Sequence, residues 1–443
     1  MTPQITPSND RALDLPRTRS PEAVPDDDLP HVATLDLTTS PKDLWQRVRN
    51  GFGMPNLDGP LVADRQAYYL NRPKMLQLLF SRSRKYLYYV VEELEKRGMP
   101  TELALLPMVE SAYNPLAASP AKALGMWQFI PSTGKNYNLQ QNFWMDQRRD
   151  IIASTGAALD YLQNIYEMHG DWHLALASYN WGENAVAKAI AKNQARGLPT
   201  DYLSLNMPLE TRYYVPKLQA LKNIIANPDL FGIQLDPIPN KPYFVAVDMP
   251  ATMDVSMAAK LAEMPLDEFV ALNPAHSKPV MQDTDNATLV LPAEKLSVFR
   301  SNLQRHEAEE KPLSMWHTYV MKHGDRLERI AIRHGLTTHR LKQINSIGPR
   351  TRVGTGFTLL VPDPFAQNQD SVLALLQRES LESAKPVHGK AHRATAKAGK
   401  RKRTEGTHAR AGNKKVVKKA SARKSGSSKA ASSSGKSRKK TKR

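Results

Sequence analysis

Glu110 is the residue of this sequence best placed for acid and base chemistry. It follows the apolar run Leu105-Leu106-Pro107-Met108-Val109 and precedes Ser111. Proline lacks an amide hydrogen, so we expect the helix to kink or restart just before the glutamate. A carboxylate at the end of so apolar a helix is partly desolvated, which favours its protonated form. Raising its pKa by about two units costs about 2.7 kcal/mol and supplies a general acid near neutral pH.

The composition argues against several other kinds of site. The 443 residues contain no cysteine, which excludes disulfides, thiol catalysis and cysteine-bound zinc. The sequence has neither a His-Glu-x-x-His motif nor a phosphate-binding Gly-x-x-x-x-Gly-Lys loop. We therefore expect no metal and no other cofactor.

Helical periodicity dominates the first half of the chain. Apolar residues recur at helical spacing from a start near Ser40-Pro41, over 75–97 as one long stretch, and through 101–235. Residues 1–39 are rich in Pro, Asp, Thr and Ser without a period and predict a disordered lead-in. The pattern thus predicts a helical segment over 40–100 that packs on a mainly α-helical domain over 101–235.

The second half of the chain contains an internal repeat. Two copies, at 240–295 and 315–363, each predict a strand, two helices and a closing strand that ends in proline. The second helix of each copy ends in asparagine, at Asn273 and Asn345. The predicted fold class is therefore α+β and multidomain, with a mainly α-helical domain followed by two small βααβ modules.

The positive charge of the chain is concentrated at its end. There are 62 Lys and Arg against 43 Asp and Glu, a net charge of +19. Residues 386–443 hold 21 of these cations and one acidic residue, Glu405, so the rest of the chain is almost neutral. Without a single Leu, Ile, Phe, Tyr or Trp to bury, this tail is predicted to be disordered. The neutral body argues against nucleic acid as the main partner.

Three further motifs follow Glu110-Ser111 in the chain. They are Gly125-Met126-Trp127-Gln128-Phe129, Ser178-Tyr179-Asn180-Trp181-Gly182 and Glu210-Thr211-Arg212-Tyr213-Tyr214-Val215. With these motifs, residues 41–230 resemble the lysozyme-like catalytic domain of lytic transglycosylases, most closely the membrane-bound lytic murein transglycosylase D type. The sequence departs from that pattern at Trp127, where Met is commoner, and at Ser178 and Trp181, where alanines are commoner.

The resemblance implies a role for each motif. Glu110 would be the sole catalytic acid and base. Ser119 and Gln128 match positions that contact the substrate, Tyr179 and Asn180 match the Tyr-Asn pair at the glycan cleft, and Glu210 and Tyr214 lie on the motif of the closing helix.

The same resemblance implies cleavage of peptidoglycan between N-acetylmuramic acid and N-acetylglucosamine with a 1,6-anhydro product. A two-carboxylate glycosidase needs its second group about 5 to 9.5 Å from the acid. No Asp or Glu occurs between Ser111 and Met145, although Asp146, Asp150 or Glu210 could fold into the cleft. A hydrolytic muramidase and a non-catalytic cell-wall-binding protein remain the alternatives.

The second copy of the repeat resembles a lysin-motif (LysM) module, a type that binds N-acetylglucosamine-containing glycans. Gly324 and Asp325 fit its tight turn, and Arg326 stands where Thr is usual beside the sugar groove. The first copy lacks Gly-Asp and has Met253-Asp254 instead, so we interpret it as a degenerate copy and a spacer.

Peptidoglycan as substrate implies a location in the cell envelope or periplasm. The first 30 residues contain no apolar run typical of a signal peptide, no stretch predicts a transmembrane helix, and no cysteine can carry a lipid. We expect a start further upstream or another export route. The basic tail is suited to electrostatic retention at an anionic envelope surface.

Overall fold

The computed structural model describes residues 41–283 and 287–363. As the periodicity predicts, the first part of this range is almost entirely helical. Two short 3-10 helices, Thr101–Leu105 and Pro228–Phe231, interrupt the α-helices. The α-helices of this part are α1 Leu44–Asn50, α2 Pro60–Leu70, α3 Pro73–Ser83, α4 Leu87–Lys96, α5 Leu106–Ser111, α6 Pro131–Asn136, α7 Ile151–His169, α8 Trp172–Trp181, α9 Glu183–Gln194, α10 Leu209–Arg212 and α11 Tyr214–Ala226.

The second part consists of two modules built on the predicted βααβ plan. The first module contains β1 Phe244–Asp248, β2 Met253–Asp254, α12 Val255–Leu261, α13 Leu266–Leu272, β3 Val280–Met281 and β4 Thr288–Pro292, followed by a 3-10 helix, Ala293–Lys295, and by α14 Leu296–Ala308. The second module contains β5 Trp316–Val320, α15 Leu327–Arg333, α16 Thr338–Ile344 and β6 Thr358–Pro362.

The two modules share their strand register and one buried asparagine. In each, the first strand pairs antiparallel with the last, and the closing proline lies opposite the first strand residue. The Asn273 side chain donates to Val290 O and accepts from Val290 N, both at 2.8 Å. Asn345 makes the same pair with Leu360, at 2.9 and 2.6 Å. Each asparagine thus ties the end of the second helix to the closing strand.

The first module has a second small sheet that its repeat partner does not show in the described residues. Strand β2 pairs with β3, with Met253 opposite Met281. Buried Asp254 accepts hydrogen bonds from Ser314 Oγ at 2.7 Å and from Met315 N at 3.0 Å. The linker to the second module therefore lies against the turn that precedes α12.

The stretch 75–97 is helical as its period predicts, but it is divided into two helices. Helix α3 ends at Ser83, whose hydroxyl donates to Phe80 O at 2.8 Å, and a turn precedes α4. Leu79 and Leu87, on either side of this turn, are both fully buried. The break lets both helices bury an apolar face, and each helix keeps the helical period on its own.

The first helix begins later than predicted, and its start is joined to the end of the helical part. Asp43, rather than Ser40, caps α1 by accepting from Trp45 N at 3.2 Å. The same carboxylate accepts from Ile238 N at 3.0 Å. Trp45 Nε1 donates to Asp236 O at 3.1 Å. Residues almost 200 positions apart therefore close the helical part at one point.

One continuous hydrophobic core runs from α1 through the helical part and into the first module, whereas the second module has a smaller core of its own. A buried ion pair crosses the first core, where Lys222 Nζ lies 2.9 Å from Glu102 Oε1. Glu102 also accepts from the amides of Gly53 and Met54, at 3.0 and 2.9 Å. The loop after α1 is thereby fixed to α11 and to the 3-10 helix that precedes α5.

The predicted lead-in, residues 1–39, and the predicted basic tail, residues 386–443, lie outside the described residues.

Candidate active site

Glu110 lies on the last turn of a short helix with an unusual ending. The 3-10 helix Thr101–Leu105 passes into α5 at Leu106, so a new helix starts next to Pro107, as the proline predicts. After Ser111 the chain turns sharply, since Ala112 and Tyr113 adopt the left-handed conformation at φ 53° and 55°. Such backbone conformations cost about 1 kcal/mol or more in a residue with a side chain. They are retained where the surroundings fix them.

Two hydroxyl groups fix this turn. Ser111 Oγ donates to Met126 O at 2.8 Å, and Tyr113 OH donates to Ala104 O at 2.6 Å. Both side chains are buried. The serine of the Glu-Ser motif therefore attaches α5 to the loop that carries Gln128.

Glu110 as a whole residue is partly buried, and its carboxyl group is desolvated. Burial raises the pKa of Glu110 from its ordinary value of 4.5 to about 7. A hydrogen bond from Tyr214 OH to Glu110 Oε1 and the positive charge of Lys217 act in the opposite direction, and the charge of Glu210 adds to the rise of this pKa. The direction agrees with the expectation from the apolar sequence before Glu110. A group with this pKa is suited both to donate and to accept a proton near neutral pH.

Tyr179 and Tyr214 line the buried side of Glu110. Burial, and then the negative charge of Glu110, raise the pKa of both phenols well above 10, so both keep their protons. Tyr179 OH donates to Trp127 O at 2.8 Å, and its ring lies 5.3 Å from the ring of Tyr161. Helix α8, which carries Tyr179, is thereby held against the Gly125-Met126-Trp127-Gln128 motif.

Asn180 is turned toward α10. Its Oδ1 accepts from Thr211 Oγ1 at 2.9 Å, and Thr211 O in turn accepts from Tyr202 OH at 2.6 Å. The Tyr-Asn motif and the Glu210–Tyr214 motif are therefore joined directly through Thr211. Glu210 itself is exposed at the start of α10.

Ser119 and Gln128, the two residues that the sequence resemblance assigns to substrate contact, lie on one loop, residues 117–129, which we call the substrate loop. Gln128 has a left-handed backbone at φ 53°, and its amide donates to Gly125 O at 2.7 Å. Ser119 Oγ accepts from Ala123 N at 3.1 Å. Gly125 has φ 83°, and a Cβ at this position would lie 1.9 Å from Arg148 O. Glycine is therefore required there by both conformation and space.

The structure brings the predicted site residues together to different degrees. Glu110 is bonded to Tyr214 and interacts electrostatically with Tyr179 and Glu210. In the contacts described above, Ser119 and Gln128 bond to the backbone of their own loop, and Asn180 bonds to Thr211.

The three carboxylates considered as a second catalytic group differ in their surroundings. Asp146 forms an ion pair with Arg148, with Oδ2 2.6 Å from Nη2. Asp150 caps α7 by accepting from Ile152 N and Ala153 N, at 2.9 and 2.8 Å. Both therefore have structural partners, and of the three only Glu210 acts on the pKa of Glu110.

Two residues of the site were missed by the sequence reasoning. Lys217 follows Tyr214 by three positions on α11, and its charge acts on both Glu110 and Glu210. Its helical spacing from Tyr214 was a signal that could have identified it. Arg148 donates to the backbone of the substrate loop, and no local pattern indicates this long-range contact.

The turn of the second module contains the three residues predicted there. Gly324 has φ 82°, and its carbonyl accepts from Arg329 Nη2 at 2.8 Å. Asp325 accepts from Lys322 N and Tyr319 OH, both at 2.8 Å, and these bonds lower its pKa. Arg326 is the exposed N-cap residue of α15. The turn is ordered by Asp325 and stays open to solvent.

Within 41–283 and 287–363, no three His, Asp or Glu side chains are grouped so that they could hold a metal ion. Over the same residues, no helix has the length and apolar character required to cross a bilayer.

Two protein families match parts of the chain. The transglycosylase SLT domain matches residues 88–199, and the LysM-like domain of lytic transglycosylase MltD matches residues 243–308. The second match covers the first module together with α14, the copy that the sequence pattern marked as degenerate.

Several curated proteins are similar to this chain. Membrane-bound lytic murein transglycosylase D of Escherichia coli K12 is 33% identical over 362 residues, which is 78% of this chain and 80% of that protein. Membrane-bound lytic murein transglycosylases C of Yersinia enterocolitica and Glaesserella parasuis are 33% and 28% identical, over 26% and 28% of this chain and 37% of each relative.

Proposed function

Since the chain belongs to the membrane-bound lytic murein transglycosylase D family and is a peptidoglycan lytic transglycosylase, we propose that Glu110 is its single catalytic acid and base. The observation that carries this proposal is the hydrogen bond from Tyr214 to a desolvated Glu110 whose pKa is about 7. The hydrolytic and non-catalytic alternatives are not favoured by the relatives of this chain.

The first step uses Glu110 as an acid. Tyr214 OH donates to Oε1, so the transferable proton lies on Oε2. This proton passes to the oxygen between N-acetylmuramic acid and N-acetylglucosamine as its bond to C1 breaks. The neighbouring acetamido group stabilises the cationic sugar, as in substrate-assisted glycosidases.

The second step uses the same group as a base. Glu110, now a carboxylate, accepts the proton of the C6 hydroxyl while O6 forms a bond to C1. The product has a 1,6-anhydro end, and Glu110 returns to its protonated state. Tyr214 and Lys217 favour the carboxylate form, so they assist the first step, in which Glu110 gives up its proton, and keep its pKa low enough for that donation.

The substrate loop and the Tyr-Asn motif position the glycan in this proposal. Ser119 and Gln128 contact the sugar and orient its acetamido group, and Tyr179 and Asn180 line the cleft. Glu210 does not activate a water molecule in this proposal, because the reaction needs no second carboxylate. Its charge raises the pKa of Glu110.

Replacement of Glu110 by Gln tests the proposal. The amide keeps the shape of the side chain and lacks the transferable proton, so release of muropeptides from sacculi should fall to background. Glu167→Gln is the matched control, because Glu167 is exposed on α7. Substantial turnover by Glu110→Gln would refute the single-acid assignment. Muropeptides with reducing ends, heavier by one water, would indicate hydrolysis instead.

We also propose that the second module binds wall glycan through the turn Gly324-Asp325-Arg326. The ordered and open turn supports this proposal. Deletion of residues 316–362 should weaken pelleting with sacculi and spare cleavage of short soluble glycans. Asp325→Ala should weaken pelleting in the same direction, because Asp325 holds the turn. Equal pelleting of all three proteins would exclude this module as an anchor.

The envelope or periplasm is the proposed location, since the relatives are membrane-bound murein transglycosylases. We propose that the basic segment 386–443 retains the enzyme at anionic surfaces, because its +20 charge attracts polyanions with a steep dependence on salt. A protein that ends at Lys385 should lose salt-sensitive binding to anionic vesicles and keep Glu110-dependent cleavage. Unchanged binding at low salt would contradict the role of the tail.

A further inference from the structure

A buried side chain that is not part of the substrate loop, that of Arg148, donates hydrogen bonds to the backbone of the loop. Arg148 Nη1 donates to Lys122 O at 2.8 Å and to Phe129 O at 3.2 Å. These two carbonyl groups lie on either side of Gly125, which packs against the backbone of Arg148 itself. The side chain of Arg148 is only 7% exposed. The position of the loop that carries Ser119 and Gln128 therefore depends on Arg148.

Asp146 sets the orientation of Arg148. Its Oδ1 accepts from Nε at 2.9 Å and its Oδ2 from Nη2 at 2.6 Å. A two-point carboxylate–guanidinium contact fixes the plane of the guanidinium group as well as its position. Because Asp146 occupies Nε and Nη2, Nη1 is directed to the substrate loop.

The segment that carries Asp146 is bonded to the first module. Asp146 N donates to Ala275 O at 2.9 Å, and Ser277 N donates to Trp144 O at 3.0 Å. Between these bonds, Met145 and His276 form an antiparallel bridge. Ser277 Oγ adds a contact to Trp144 O at 3.0 Å. A short two-stranded contact thus joins residues 144–146 to residues 275–277.

These contacts form a continuous series from the module to the substrate loop. Residues 275–277 hold the backbone of Asp146, Asp146 holds Arg148, and Arg148 holds the carbonyl groups of the loop. Every contact in the series is a hydrogen bond or an ion pair of defined geometry. A shift of the module segment is therefore transmitted to the loop that contacts substrate.

We propose that residues 275–277 of the first module brace the active site, with Asp146 and Arg148 as positioning residues for the substrate loop. The module then contributes to glycan cleavage through its contacts with residues 144–146. This inference rests on the proposed function of the substrate loop. It assigns the degenerate copy a role in substrate affinity in addition to spacing.

Asp146→Ala tests whether residues 275–277 position the substrate loop through Asp146 and Arg148. The substrate is short soluble glycan strands, which reach the cleft without the second module. Loss of Asp146 frees Arg148, so the loop is misplaced while Glu110 and Tyr214 stay on α5 and α11. We expect KM to rise about tenfold, the effect of losing roughly one hydrogen bond to the substrate, with the alkaline limb of the pH profile unchanged. Asp146→Asn, which keeps one acceptor, should restore part of the affinity.

The matched control is Asp160→Ala. Asp160 lies on α7, is 62% exposed and approaches Arg97 at 3.8 Å, so its removal should leave KM unchanged. A role of Asp146 in stability alone predicts the opposite pattern, in which the apparent kcat falls with the folded fraction and KM stays constant. That pattern, measured together with thermal unfolding, would overturn the inference.

The module side is tested by Ser277→Ala, with Ser301→Ala on the exposed face of α14 as its control. Ser277→Ala should raise KM in the same direction as Asp146→Ala, and the double variant should be no worse than Asp146→Ala alone. Additive effects of the two substitutions on KM would mean that the two residues act independently, which would contradict the inference. Wild-type and Glu110→Gln proteins are assayed alongside, so absence of wild-type turnover would identify a failure of the proposed function instead.

Discussion

Replacement of Tyr214 by Phe removes the hydroxyl group that donates to Glu110 Oε1 and leaves the rest of the ring in place. That hydrogen bond stabilises the carboxylate form and opposes the rise of the Glu110 pKa caused by burial. Without it, the desolvated carboxylate loses its closest donor. The pKa of Glu110 should therefore rise above its present value of about 7.

The size of the shift follows from the type of bond lost. A hydrogen bond to a charged group contributes about 1.5 to 3 kcal/mol. At 1.36 kcal/mol per unit this corresponds to about 1 to 2 pKa units. Glu110 in the variant would stay protonated to about pH 8 to 9. It would be a weaker acid in the first step, so the rate at the optimum should also fall.

The assay is the release of anhydro ends from soluble glycan strands between about pH 5 and 10, with kcat/KM measured at each pH. The alkaline limb reports loss of the proton from Glu110 in the free enzyme. Tyr213→Phe is the matched control, because Tyr213 is the neighbouring residue and its ring contact with Arg65 is retained by phenylalanine. An alkaline limb of Tyr214→Phe that stays in place, or moves to lower pH, would refute this account of the Glu110 environment.

Four further substitutions have defined outcomes. Lys217→Met should move the alkaline limb to higher pH and Glu210→Gln to lower pH, since the two charges act on the Glu110 pKa in opposite directions; limbs that move together would contradict this. Glu110→Gln should unfold at a higher temperature than the wild type at pH 8 and not at pH 4. The pKa of Glu110 in the folded protein, about 7, lies above its ordinary value of 4.5, so the stability that protonated Glu110 contributes is lost as pH rises through 7. Equal melting temperatures of the two proteins at pH 8 would contradict this prediction. Gly125→Ala should abolish cleavage of soluble glycan, because its Cβ would collide with Arg148 O at 1.9 Å; full activity would show that the substrate loop adapts.

Local patterns of the sequence predicted much of the fold. Pro107 predicted the restart of the helix that bears Glu110, and the apolar run before it predicted the raised pKa. Asn273 and Asn345 marked the repeat, and both make the same bonds to the closing strand. These features depend on neighbours in sequence or on a pattern that occurs twice.

Sequence patterns did not predict the contacts between residues that lie far apart in the chain. The turn between α3 and α4 preserves the helical period on both sides, so periodicity did not detect it. Arg148 and residues 275–277 act through partners more than 15 positions away. Lys217 was missed although its spacing from Tyr214 is helical, since its relevance depends on where Glu110 lies. Packing between elements decides such contacts, and one sequence does not specify that packing by pattern alone.

The closure of the helical part at Asp43 and Ile238 has a consequence for synthesis on the ribosome. Trp45 and Asp236 are 191 positions apart, and Asp43 and Ile238 are 195 apart. At about 5 to 20 residues per second, roughly 10 to 40 s separate the emergence of the two halves of this contact. During that interval the apolar face of α1 has no partner from α11. Such non-local contacts also slow folding, so the apolar surface of α1 stays open to aggregation until α11 has emerged.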